Sequence, residues 1–177
     1  SNIEKMKFLL SRRANPNFKS KDQMTPLMDS VMSACEQCID LLIQAGADVN
    51  ATNSRGESAL VMASGDGQAS VVKKLIKAHA KVNVPFNDRG FTLLMDAAFE
   101  GNLELVKVLV EDGGAQINLQ DKERKTALIY AAKEGFTDVV RYLLSKQADK
   151  TLRDENNRSA LDYAQTYHHS QIIDLLK

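Results

Sequence analysis

Thr25-Pro26-Leu27, Ser58-Ala59-Leu60, Thr92-Leu93-Leu94, Thr126-Ala127-Leu128 and Ser159-Ala160-Leu161 follow one another at intervals of 33, 34, 34 and 33 residues. A second marker keeps the same phase about 22 residues later, at Ala47-Asp48-Val49-Asn50, Ala80-Lys81-Val82-Asn83, Ala115-Gln116-Ile117-Asn118 and Ala148-Asp149-Lys150-Thr151. Ala14-Asn15-Pro16-Asn17 precedes the first full copy. Two markers in step mean that one supersecondary unit has been copied. Units of this size cannot bury their own apolar face alone and must stack on their neighbours.

One copy shows how the unit folds. Ser58 is an N-cap residue whose hydroxyl can accept from an unpaired amide of the first helical turn. Leu60, Met62, Ala63 and Ser64 then predict a short helix that Gly65 and Gly67 end. A second helix is predicted from Gln68 to Ala78, because Val71, Val72, Leu75 and Ile76 form one apolar stripe while Lys73, Lys74 and Lys77 face water. The stretch from Lys81 to Phe91 is too rich in Asn, Asp, Pro and Gly for a helix and predicts a projecting hairpin-like finger. Leu27, Leu60, Leu94, Leu128 and Leu161 hold one core position of the repeat, and Leu42, Leu75, Leu109, Leu143 and Leu176 hold another.

The chain reads as a single domain over residues 1–177. It has a partial repeat at 1–17, repeats at 18–50, 51–83, 84–118 and 119–151, and a C-terminal repeat at 152–177. Ile3 to Leu10 has the pattern of a second helix without its first, so the natural protein is expected to extend before Ser1.

Composition excludes several function classes. Lys plus Arg and Asp plus Glu balance at 23 each, so no net field recruits nucleic acid or an anionic membrane. No apolar run approaches the ~20 residues of a membrane helix, and no signal peptide is evident. Cys35 and Cys38 are too few for a disulfide framework, which favours an intracellular, cytoplasmic setting. Cys38 falls where other units carry Val71, Leu105, Val139 and Ile172. It therefore reads as a small buried hydrophobe, with no second Cys pair or nearby His to complete a zinc site. His168 and His169 read as a surface turn. No Ser/His/Asp constellation or phosphate loop can be built, so no catalysis, metal or cofactor is expected.

A 33-residue repeat reading Thr-Pro-Leu, paired small residues, a Gly turn, an apolar helix and Gly-Ala-Asp-Val-Asn resembles the ankyrin repeat. It does so most closely from Thr25-Pro26-Leu27 to Gly46-Ala47-Asp48-Val49-Asn50, and from Thr126 through Ala131-Ala132 and Gly135 to Leu143-Leu144. The resemblance covers the whole chain. It implies an all-α solenoid of stacked antiparallel helix pairs with projecting fingers, and a concave surface formed by fingers and first helices. It also implies a non-catalytic protein that binds other proteins.

The chain departs from the family pattern in two ways. The family's His after Thr-Pro-Leu is replaced by Met28, Val61, Met95, Ile129 and Asp162, so its bond to the motif Thr is expected to be missing throughout. The Gly that ends the second helix is replaced by Arg13, His79 and Gln147. A non-Gly residue with φ > 0 there costs on the order of 1 kcal/mol.

Stacking fixes the spine, so specificity should lie where the units differ. On the first helices these positions include Asp29, Met62, Asp96, Phe99, Tyr130 and Tyr163, an acidic and aromatic set, and on the finger rim Arg55 and Arg89. The third finger is one residue longer and carries Phe86 and Phe91; Gly113-Gly114 adds a residue to the same repeat. These insertions either bend the stack or expose the two rings as anchors, unless the rings are buried. A partner protein or peptide with basic and apolar anchors is expected, held by a monomeric domain. The resemblance also implies Asn50 as a modification site. Factor-inhibiting asparaginyl hydroxylases act on ankyrin Asn residues with Leu eight places before, an acid two before and Val or Ile just before, which Leu42, Asp48 and Val49 supply. The plainer alternative is that Asn50 bonds its own finger backbone.

The leading function is a protein-recognition scaffold. Its rivals are the target-recognition segment of a larger ligase subunit, channel or bacterial effector, and a purely architectural spacer.

Overall fold

The computed structural model describes residues 2–177. Contacts divide the chain into two compact units, Ser1–Lys81 and Val82–Lys177. The first contains α1 (Asn2–Ser11), α2 (Pro26–Met32), α3 (Glu36–Gln44), α4 (Ala59–Gly65) and α5 (Ala69–Lys77). The second contains α6 (Leu93–Phe99), α7 (Leu103–Glu111), α8 (Ala127–Glu134), α9 (Thr137–Ser145), α10 (Ala160–Thr166) and α11 (Ser170–Leu176). Among the described residues no strand forms. Two isolated antiparallel bridges, Thr52 with Ser58 and Arg153 with Ser159, mark finger bases. No helix of the described residues is long and apolar enough to cross a membrane.

The repeat motif works as a helix start. Thr25, Ser58, Thr92, Thr126 and Ser159 lie in extended backbone, and each hydroxyl accepts from the amide three residues on at 3.2–3.4 Å. Pro26 occupies the first turn of α2, where its missing N–H has no helical partner to lose. Within each unit first helices pack side by side, α2 on α4, and α6 on α8 on α10, and each pairs with the second helix that follows it. Nine of the ten repeat leucines are buried. Leu161, in the last repeat, is only half-buried.

The expected loss of the motif's polar link holds in four units. In the fifth, Asp162 restores one: its Oδ2 accepts from Ser159 N–H (2.8 Å) and Ser159 Oγ–H (2.7 Å), closing a capping box. Arg13, His79 and Gln147 do take positive φ, at 61°, 67° and 65°, where Gly46 stands at 83°. The Gly113 insertion is absorbed locally. Ala115 N–H reaches back to Leu109 C=O, one residue further than the bonds from Ala47 to Leu42, Ala80 to Leu75 and Ala148 to Leu143.

Asparagines tie successive finger bases together. Asn17 donates to Gly46 C=O (3.1 Å) and accepts from Asp48 N–H (2.6 Å), and Asn50 donates to His79 C=O (3.3 Å) and accepts from Lys81 N–H (2.9 Å). Asn83 repeats the pattern with Gly114 and Gln116. The Asn50 side chain therefore bonds the next repeat's backbone rather than its own finger's, a correction to the plainer reading of that residue.

Candidate functional site

Each finger turns on one side-chain oxygen. Asn53 Oδ1 accepts from the amides of Arg55 and Glu57, Asn87 Oδ1 from Arg89 and Phe91, Asp121 Oδ1 from Lys125, and Asp154 Oδ1 from Asn156 and Arg158. Ser20 Oγ does the same for Met24. Such Asx and ST turns replace a backbone turn bond with a side-chain one. Nine residues after each of these stands a first-helix residue: Asp29, Met62, Asp96, Tyr130 and Tyr163 respectively for Ser20, Asn53, Asn87, Asp121 and Asp154. Finger and helix are bonded at this pair in the last two repeats.

Where the helix residue is Tyr, the finger residue is Asp. Tyr130 Oη–H donates to Asp121 Oδ2 at 2.5 Å, and Tyr163 Oη–H to Asp154 Oδ2 at 2.7 Å. Burial, and then the neighbouring carboxylate, raise both phenols, Tyr163 to about 12. Burial also works against ionisation of Asp154, but bonds from Arg158 N–H, Tyr163 Oη–H and Asn156 N–H outweigh it and hold the carboxyl below its usual value. Tyr130 and Tyr163 are only 3% and 2% exposed. They are not free contact rings, as the sequence reading had them; the carboxylate that satisfies each hydroxyl lets the whole ring be buried.

Tyr130 organises its surroundings. Four rings meet edge to face in a row: Phe86 to Phe91 at 6.2 Å, Phe91 to Tyr130 at 4.8 Å, and Tyr130 to Phe99 at 6.1 Å. Phe91 is buried, at 8% exposure, so it too drops out as an exposed anchor. Phe86 is half-buried and Phe99 is 37% exposed. The extra residue of this finger forms a bulge. Phe86 N–H, not Asn87 N–H, donates to Phe91 C=O, while Asn87 keeps the turn. Val84, half exposed, is the apolar side chain that the bulge presents.

Beside the row runs a chain of charge. Glu123 bonds Lys125 Nζ at 2.5 Å and Arg89 at 3.0 Å, and these two bonds hold its carboxyl below the usual range. Lys125 Nζ lies 5.8 Å from the Tyr130 ring centroid and the Arg89 guanidinium 6.0 Å from that of Phe91.

Asp96 occupies the helix position that holds Tyr130 and Tyr163 in the next two repeats. A position built for a ring encloses its carboxylate, which is half-buried and makes no hydrogen bond or ion pair among the described residues. Burial, and then the charge of Glu100 one turn on, raise its proton affinity. Its finger partner is Asn87, whose oxygen is already taken by two amides. A partly desolvated carboxyl group without a counter-ion among the described residues sits one turn from the exposed Phe99 ring. This arrangement can accept a cation.

The remaining expected contact residues fall in the first unit. Asp29 is exposed and Met62 half-buried, and Arg55 is exposed and paired with Glu57 at 3.0 Å. The cysteines need a correction: Cys35 and Cys38 are bonded to each other. Three residues apart across the first turn of α3, their Cα atoms stand 5.2 Å apart, inside the range a disulfide needs. Cys38 is buried as expected. The sequence carried a signal for the Tyr–Asp pairs that residue-by-residue reading missed, since Asp precedes Tyr by nine residues in two consecutive repeats.

Comparison with known proteins agrees with this architecture. The family model for ankyrin repeats in three copies matches residues 46–121 and 94–177, and that for a single ankyrin repeat matches 22–54. Among relatives, the chain is 31% identical over 144 residues to the ankyrin repeat and KH domain-containing protein mask-1 of Caenorhabditis elegans, covering 80% of this chain and 5% of that protein. It is 28% identical over 154 residues to the transient receptor potential cation channel subfamily A member 1 of Homo sapiens, covering 82% and 14%. The crystal structure of EF0377, an ankyrin repeat protein, superposes with a TM-score of 0.89 at 30% identity, over 99% of this chain and 91% of that one. The chain spans 5%, 12% and 49% of the length of three of its curated relatives. In motif, helix order and solved-structure likeness alike, this chain belongs to the ankyrin-repeat family.

Proposed function

We propose that the chain is a non-catalytic recognition scaffold that holds a partner protein segment, and that in the second unit the segment is gripped by Asp96, Phe99 and Glu100. Ankyrin repeats are protein-interaction modules, and the fold is generally a non-catalytic scaffold. The observation that carries the finer reading is the half-buried, unpaired Asp96 carboxylate beside an exposed ring. A Lys or Arg of the partner would supply the missing counter-ion, and an adjacent apolar residue would cover Phe99. Truncating either partner of a desolvated charge pair costs far more than changing a rim charge. Arg89 and Glu123 set the orientation of the segment through charge at the finger rim. Asp29, Met62 and Arg55 extend the contact set in the first unit. Phe86 and Val84 offer an apolar edge on the third finger.

A peptide-display selection on the wild-type chain and on Asp96→Asn and Phe99→Ala variants tests this. Peptides with a basic residue next to an apolar one should dominate the wild-type pool and bind each variant at least tenfold more weakly, the ~1.4 kcal/mol of one decade. A pool without basic bias, or one indifferent to both variants, would overturn it.

A second reading is supported by the length of the relatives. In it the same surface serves a longer protein as its target-recognition segment, the activity lying elsewhere. In this reading the setting is intracellular and the domain monomeric, and Asn50 is a hydroxylation site whose finger base must open first, because both ends of its amide are bonded.

A further inference from the structure

The first turn of α3 is closed by a covalent link between Cys35 and Cys38. In α7 the N-cap residue Asn102 accepts from Leu105 N–H at 3.0 Å. Cys35, in the same place of α3, makes no side-chain cap bond, as Gln68, Phe136 and His169 make none in α5, α9 and α11, but it alone of these is joined covalently, to Cys38. The preceding residue is also unusual. Ala34 has φ +49°, where Gly67, Gly101 and Gly135 stand in three repeats and His168, at φ 60°, in the last. The covalent link thus spans a turn that has an alanine in the left-handed position and no side-chain cap.

Both states of the pair fit the fold. As a free thiol, Cys38 would fill a position that Val71, Leu105, Val139 and Ile172 fill elsewhere, and a thiol is a small, well-tolerated core group. Access is uneven. Cys35 is half-buried, whereas Cys38 is 2% exposed and is one of the residues that line an open groove with Lys5, Met6, Asp29 and Ser33.

We propose that Cys35–Cys38 is a reversible redox-modification site that a dithiol reductant opens in the folded protein, loosening the α2–α3 turn. The reductant's thiolate attacks Cys35 Sγ, the S–S bond breaks, and Cys38 leaves as a thiolate that takes up a proton. The second thiol of the reductant, as thiolate, attacks the mixed disulfide at the reductant's own sulfur. This releases the Cys35 thiolate, which is protonated. Two electrons and two protons pass to the protein, and the reductant leaves as its disulfide. In a glutathione-buffered compartment such pairs serve as sensors rather than staples.

The folded chain, poised in defined ratios of reduced to oxidised dithiothreitol and quenched with N-ethylmaleimide, should show zero or two adducts by mass. The transition should be the same from either direction, with helical circular dichroism unchanged. Hydrogen exchange at the Glu36–Asp40 amides should rise about tenfold on reduction, with α7 and α9 unaffected. Cys35→Ser should abolish that redox dependence, and Cys38→Ser should instead trap a mixed disulfide with glutathione at Cys35. Reduction that occurs only on global unfolding, thiols that oxidised dithiothreitol leaves free, or α3 exchange equal in both states would each overturn the proposal.

Discussion

Tyr130 and Asp121, nine residues apart, are joined by a 2.5 Å bond from the phenol to a carboxylate whose other oxygen shapes the finger turn. One side chain therefore ties the finger to the first helix of its repeat, and Tyr163 with Asp154 does so again. Tyr130→Phe removes the donor but keeps the ring row. It should cost about 1–3 kcal/mol, because the buried Asp121 oxygen is left unsatisfied. Urea unfolding checks it, and the Asp121→Asn/Tyr130→Phe pair should cost less than the two single changes added together.

Acid should weaken the Asp154 and Asp162 ties. Both carboxyls are held below their usual values, Asp162 by bonds from the Ser159 amide and hydroxyl. A depressed carboxyl contributes stability that is present above its unfolded value and lost as pH falls through the folded one. The melting temperature of Asp162→Asn should therefore approach that of the wild type as the pH falls through the folded value of the wild-type carboxyl, below the ordinary carboxylate range.

Asp96 has the opposite sign. Its folded value is raised, so its stabilising contribution exists only below the ordinary carboxyl range and is lost as pH rises through the folded value. At neutral pH, Asp96→Asn should stabilise the free chain by roughly 0.5 kcal/mol, a degree or two in Tm. The same variant should weaken the partner segment. A rise in Tm together with unchanged affinity would remove Asp96 from the proposed site.

His79 sits at φ +67° with an exposed side chain; its amide donates to Ile76 C=O and its carbonyl accepts from Asn50, both of which glycine keeps. His79→Gly should stabilise by about 0.5–1 kcal/mol, since the left-handed backbone is unstrained for glycine while the unfolded chain gains some entropy. A lower melting temperature would contradict this account of the cap.

Asn50 holds both sides of the junction between two finger bases. Asn50→Ala should destabilise by about 1–2 kcal/mol, and Asn50→Asp by less, since the acceptor to Lys81 N–H survives. Thermal unfolding of the three chains separates the outcomes.

Periodicity made the helices, their caps and the positive-φ positions legible, because each depends on residues within one or two turns of one another. Ser58 caps its own helix wherever that helix goes, and His79 must turn left because the chain has to leave its helix there. The surface was less legible. Tyr130, Tyr163 and Phe91 are large and vary between repeats, which marks a contact residue and equally marks a buried ring with a private partner.

Local order thus followed from the chain's own repeats: eleven helices among the described residues at the expected intervals, and a family resemblance strong enough to carry the fold. Only packing decided which side chains remain available. Burial depends on what a distant finger places beside each helix, and Asp121 hides a tyrosine while Asn87 leaves Asp96 without a partner. It also depended on packing that Cys35 and Cys38 meet across a helical turn. Spacing brings two sulfurs near each other, but the path of the backbone determines whether they touch.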